Sequence, residues 1–184
     1  MVRSASVYER ELKDLLQGDP DALRRYGRTL APVLRPVLDA LARSPFLVVR
    51  AAGSLGFDLV ALRNEFAFPL EVKASSSDTI RFSSASGRAA EQLEAHRRAV
   101  ERVGLIALYA YRRVGHREGD AWRLYAASRG DVQGRLGLLG RRLPAIESTR
   151  EGNGVLRWES GLPLSRFFEL VSFITAPPSP VEVR

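Results

Sequence analysis

Asp58, Glu71 and Lys73 are the residues of this chain whose types and spacing can do hydrolytic chemistry. A β-hairpin turning at Arg63-Asn64-Glu65 sets Asp58 opposite residue 70 or 71. On its second arm Glu71 and Lys73 stand two apart and share one face, while Leu70 and Val72 take the other. Asp58 and Glu71 can then reach one metal ion, the Val72 backbone carbonyl can add a further oxygen, and Lys73 can hold or activate an attacking water. A divalent cation held this way polarises a phosphate and lowers the pKa of its bound water, which is the chemistry of a magnesium-dependent nuclease. Lysine is scarce here: Lys13 and Lys73 stand against twenty-six arginines. The plain alternative is a solvated strand, because exposed strands often alternate Glu and Lys on their wet face. Spacing alone favours the solvated strand.

Composition narrows the chemistry. With no cysteine there is neither a disulfide framework nor a thiolate metal site, and His96 and His116 are the only imidazoles. Any metal must sit on carboxylates, which favours a hard ion such as Mg²⁺, with Mn²⁺ expected to substitute. The net charge of +7 points to a polyanionic partner, nucleic acid first. Arginine also suits phosphate because its planar fork binds two oxygens, although arginine enrichment equally accompanies GC-rich coding or a hot habitat. An apolar share of 45% with 27% charged residues is ordinary globular composition, so disorder is not the default. No stretch approaches the roughly 18 apolar residues of a membrane span, and Met1-Val2-Arg3-Ser4 opens no secretory signal. The expectation is a cytoplasmic protein without a membrane partner.

The elements that must position these residues read as one α/β domain. Residues 5–17 repeat Ala5, Tyr8, Leu12, Leu15 and Leu16 at helical spacing, with Glu9 at the border of that stripe. Residues 21–43 carry a second helical pattern that Pro32 and Pro36 divide into two short helices, with Asp21 as a candidate cap. From Pro45 the period changes. Strands are expected at Phe46–Arg50, Asp58–Leu62 and Phe66–Lys73, with a Gly-Ser turn at 51–54. A polar loop holding Ile80 and Phe82 follows, then a charged helix over 88–102. A buried strand is expected at Gly104–Tyr111 and another at Trp122–Ala126. Residues 131–143 read as a helix weakened by three glycines, Val155–Trp158 as a strand, and Leu164–Ile174 as an apolar helix. The tail from 176 to 184 holds three prolines and is expected to be disordered.

Four segments, in order, resemble the PD-(D/E)xK nuclease superfamily and, within it, the archaeal Holliday junction resolvases. Tyr8-Glu9-Arg10-Glu11-Leu12 resembles that family's opening helix, and Val48-Val49-Arg50-Ala51-Ala52-Gly53-Ser54 its strand and basic loop. Phe57-Asp58-Leu59-Val60-Ala61 and Leu70-Glu71-Val72-Lys73 resemble its metal-binding hairpin. The resemblance implies a restriction-endonuclease-like core, a central mixed β-sheet flanked by helices, with residues 18–45 as a helical insertion after the first helix. Residues 1–175 would then form a single nuclease domain. By resemblance Asp58 and Glu71 are metal ligands, Lys73 activates water, and Glu9 completes the acidic site. Arg10 and Arg50 would bind phosphates, and Ser54 the sugar-phosphate backbone. The implied activity is Mg²⁺-dependent cleavage of branched DNA, four-way junctions first, by a homodimer acting in recombination and repair. The two-fold symmetry of such a dimer matches that of the junction. The chain departs from the family in its insertion, in Ser75-Ser76-Ser77 where a basic loop is common, and beyond residue 131. Cleavage of flaps, single strands or duplex DNA, and non-catalytic binding, stand as alternatives.

Among the remaining polar residues, Gln92 and His96 lie on the helix after the site and read as a solvated helix face, the alternative being a place near the phosphate, where some relatives put a polar residue. Arg97-Arg98 and Arg102 can flank DNA or pair with Glu94 and Glu101. Arg112-Arg113, His116 and Arg117 surround a hairpin tip that reads either as a phosphate-contacting edge or as a soluble turn. Trp122 and Trp158 read as core or interface. Phe167, Phe168, Leu170, Val171, Phe173 and Ile174 should cover the core or build a dimer contact.

Overall fold

The computed structural model describes residues 5–51, 56–83, 88–128 and 132–175. The expected contact of Ser54 and the tail at 176–184 lie outside the described residues. Helix α1 (Ala5–Leu16) opens the chain. Helices α2 (Pro20–Gly27) and α3 (Pro36–Arg43) follow, joined through a 3-10 turn at Pro32–Leu34. Three antiparallel strands come next: β1 (Leu47–Arg50), β2 (Leu59–Arg63) and β3 (Phe66–Ser75). Strand β4 (Thr79–Phe82) and helix α4 (Ala89–Glu101) cross over to β5 (Leu108–Arg113), which runs parallel to β3. Strand β6 (Trp122–Ala126) and helix α5 (Gly134–Arg142) lead to the short strands β7 (Glu147–Ser148), β8 (Gly154–Arg157) and β9 (Leu162–Pro163). Helix α6 (Leu164–Thr175) ends the described chain.

The main sheet has the order β1-β2-β3-β5-β6-β9, mixed in direction, and a second antiparallel sheet has the order β4-β8-β7. The fold is therefore a mixed α/β arrangement with a central mixed sheet flanked by helices. Each face of that sheet buries its own core. On one, Leu12, Leu16, Leu23, Leu41 and Phe167 from the helices meet Phe68, Leu70 and Leu108. On the other, Leu93 and Val100 of α4 and Leu156 of the small sheet meet Tyr109, Tyr111 and Tyr125. Strand β5 alternates between the two, Leu108 and Ala110 facing one core and Tyr109 and Tyr111 the other. A strand covered on both faces reads as a continuous apolar run, which is how the sequence presented it.

Residues 18–45 belong to the first core. Leu23, Tyr26, Leu30, Val37, Leu38 and Leu41 are all buried in it. The cap of α2 is Asp19 rather than Asp21: its carboxylate accepts from Ala22 N at 2.8 Å. Pro20 occupies the first helical position, where its fixed φ suits the helix and its missing N–H needs no partner, so the cap falls one residue before it. Asp21 pairs instead with Arg24. The hairpin turn is the two residues Asn64-Glu65, because Arg63 pairs with Phe66, and Asn64 takes the left-handed φ of 51° that such a turn requires. Ile80 and Phe82 are not in a loop: they form β4, whose partner β8 lies far along the chain, with Ile80 opposite Leu156. The buried strand begins at Leu108 rather than Gly104, since Gly104 turns the chain out of α4 at φ 66°.

Candidate active site

The hairpin and its neighbours gather the acidic residues at the open end of β2. Leu59 is the last β2 residue paired with β3, opposite Leu70, and Asp58 N still donates to Leu70 O at 3.0 Å. The Asp58 side chain then caps the neighbouring backbone: its Oδ2 accepts from Val72 N at 2.7 Å. In a strand a residue's N–H and C=O leave on the same edge, so the Val72 carbonyl faces the edge where Asp58 sits. Glu71 and Lys73 lie opposite Tyr109 and Tyr111 of β5 and share their face of the sheet, towards α4. Lys73 Nζ donates to Glu71 Oε1 at 2.6 Å and to Gln92 Oε1 at 3.3 Å.

Burial shapes the charges. The Glu71 side chain is only 4% exposed, and its second oxygen, Oε2, is buried with no hydrogen-bond partner among the described residues. Burial pushes the Glu71 carboxyl up to about 7; the Lys73 ammonium and the nearby Gln92 amide oppose that rise and the Asp58 carboxylate adds to it. Asp58 is also raised, first by burial and then by the Glu9 carboxylate, against the Val72 N–H, Lys73 and Arg50. Glu9, half-buried on α1, is held by Arg50 of β1 at 2.6 Å.

Glu9, Arg50, Asp58, Glu71, Val72 and Lys73 thus come together at one end of the sheet, from α1, β1, the entry to β2, and β3. Arg10 does not join them. Successive helical residues diverge by about 100°, and Arg10 lines a groove with Glu11, Asp14, Arg25 and Arg112 between α1 and α2. Among the described residues no group of three or more His, Asp or Glu side chains is placed to hold a metal ion. Each carboxylate here takes a different partner: Glu9 an arginine, Asp58 a backbone N–H, Glu71 a lysine. The donor set still fits a hard cation. It is all oxygen, and the orphaned Glu71 Oε2 is a buried carboxyl atom that a cation would satisfy once the group is ionised.

Two residues that read as a solvated face are part of the site. Gln92, half-buried, contacts Lys73, and His96 is buried with only 2% of its surface exposed. They stand one turn apart on α4, both facing the sheet. That i, i+4 spacing was the signal available in the sequence. Near the expected hairpin tip Arg112 pairs with Glu11 and lies over Tyr8 and Trp122, and Arg113 pairs with Asp78, whereas Arg117 is exposed. Arg97 pairs with Glu94 and donates to the Ala127 carbonyl. Trp122 and Trp158 are both buried, with Arg123 over the Trp158 ring. Phe167, Phe168 and Val171 of α6 enter the first core, whereas Phe173 is 81% exposed.

The chain is a mixed α/β protein carrying a carboxylate-lysine cluster at the end of a β-hairpin. Among solved structures it is similar to Archaeoglobus fulgidus Hjc, a Holliday junction resolvase from an archaeal hyperthermophile. The two share 19% identity with a TM-score of 0.47, over 79% of this chain and 94% of that one. No protein-family model matches the sequence, and no curated protein matches it.

Proposed function

We propose that the protein is a metal-dependent, structure-selective DNA endonuclease that resolves four-way junctions by paired symmetric nicks. The observation that carries this reading is the buried, unpartnered oxygen of Glu71 between Lys73 and Asp58. A decorative Glu-x-Lys strand would leave its glutamate in water, and this one is 3% exposed. Asp58, Glu71 and the Val72 carbonyl would hold Mg²⁺, with Mn²⁺ able to replace it. When bound, the ion supplies Lewis-acid polarisation of the scissile phosphate and a lowered pKa for its water.

The chain's own residues do the rest. Lys73, held between Glu71 and Gln92, presents its ammonium group to orient the attacking water and offsets charge developing on phosphorus. Water oxygen bonds to phosphorus as the bond to the 3′ oxygen breaks, leaving 5′-phosphate and 3′-hydroxyl ends. Arg50, 56% exposed, can exchange Glu9 for a backbone phosphate. The net charge of +7 supports a nucleic-acid partner, read through shape and phosphate placement rather than base edges. Two copies are proposed to act together, one nick each. No helix among the described residues is long and apolar enough to cross a membrane.

Asp58→Ala and Lys73→Ala test the assignment. Each should lower cleavage about 100-fold or more, while junction binding in EDTA stays near the parent value. Wild-type cutting by both variants would refute the roles given to these residues.

A further inference from the structure

Helix α4 offers two polar side chains to a single backbone atom. Gln92 Nε2 donates to the Gly56 carbonyl at 3.0 Å, and His96 Nε2 lies 2.9 Å from the same oxygen. A carbonyl can only accept, so the Nε2 of His96 carries the proton. Its Nδ1 lies 2.9 Å from the Tyr109 hydroxyl, which donates to it when the ring is neutral. Burial holds the His96 pKa below its ordinary value and so favours that neutral ring. The imidazole also stacks on Phe57, with centroids 3.8 Å apart and planes 20° from parallel. Gly56 has φ of 75°, and a Cβ there would lie 3.1 Å from His96 Nε2. Gly56 and Phe57 are thus fastened to α4 immediately before Asp58. The other end of the Gln92 amide accepts from Lys73.

A clamp at this point has a physical purpose. Asp58 sits where the β2–β3 ladder ends, and its neighbours Glu9 and Glu71 repel it. Among the described residues, the Val72 N–H is the one hydrogen-bond donor to its carboxylate. We infer that His96 and Gln92 are positioning residues that hold Gly56, and through it keep Asp58 in register with Glu71 and Lys73 for divalent-cation binding. The cation rests on the nuclease reading; the clamp itself involves only atoms of this chain.

His96→Phe preserves a ring on Phe57 and removes the donor to Gly56. In metal-free protein, amide hydrogen exchange at Asp58 and Val72 should rise about tenfold, as expected for loss of one hydrogen bond. Helices α2 and α3, packed on the opposite face of the sheet, should exchange as before. Gln92→Leu, at a half-buried position, should give the same local pattern in milder form. Calorimetric titration with Mn²⁺ alone should show affinity about 10–100-fold weaker in His96→Phe, and His96→Gln, which restores a donor, should recover part of it. Unchanged exchange at Asp58 and Val72, or equal acceleration throughout the sheet, would overturn the inference, the latter because it marks global destabilisation. The exchange measurement needs no metal. A parent protein that binds no Mn²⁺ and cuts no DNA would therefore sink the nuclease reading separately.

Discussion

Replacing Glu71 with glutamine in protein kept free of metal removes a titration that burial creates. The folded-state carboxyl is raised from 4.5 to about 7, so between those values the folded protein holds a proton that the unfolded chain has released. Below pH 4.5 both states are protonated and this contribution is fully present. As pH rises through 7 it is lost. At 1.36 kcal/mol per pKa unit, the stability lost amounts to about 3 kcal/mol. That is a large share of the 5–15 kcal/mol typical of a domain. Asp58, also raised, contributes in the same direction, whereas His96, lowered by burial, makes stability increase with pH up to about 6.5. Subtracting the Glu71→Gln curve from the parent curve cancels the His96 contribution and leaves Glu71 together with its coupling to Asp58. Urea unfolding in EDTA, followed by fluorescence of the buried Trp122 and Trp158, measures it from pH 4.5 to 8.5. The variant should gain on the parent by about 3 kcal/mol over that range. Saturating Mn²⁺ at about 100 times its Kd should then return about 2.7 kcal/mol to the parent at pH 8 and far less to the variant. Parallel curves for the two proteins would show that Glu71 is solvated and would refute the burial argument.

Two stability predictions follow from the scaffold. A Cβ at Gly161 would lie 2.5 Å from Arg123 Cβ and from the Tyr125 hydroxyl, so Gly161→Ala should lower stability in urea by about 1–3 kcal/mol. Asp19→Ala removes the α2 cap and should cost about 1 kcal/mol by thermal or urea unfolding, whereas Asp21→Ala, which loses only an exposed ion pair, should cost a few tenths at most.

The parts of this fold legible in the sequence are those whose partners are near in the chain. The β2–β3 hairpin joins residues 59–63 to 66–70, so alternation and a turn dipeptide suffice to set Asp58 beside Glu71 and Val72. Strand β6 needed only its aromatic and branched residues between polar ends. Strand β4 was not legible because its four residues are held by β8, and nothing local announces that pairing. Glu9 and Arg10 were read as neighbours in function, but helical geometry sends one to Arg50 and the other to a different groove. Gln92 and His96 were hidden by the charge around them. A polar residue on a helix reads as wet until the backbone carbonyl it meets is known, and that carbonyl belongs to Gly56, far upstream.

The most direct test of the account is a substrate panel. Labelled four-way junction, flap, single-stranded and linear duplex DNA are incubated with the protein in Mg²⁺ or in EDTA. Paired symmetric nicks on the junction, dependent on Mg²⁺ and absent from linear duplex, are the predicted result. Cleavage concentrated on flaps or duplex would contradict junction resolution while keeping the hydrolytic site, and binding without cleavage under any divalent metal would contradict the site itself.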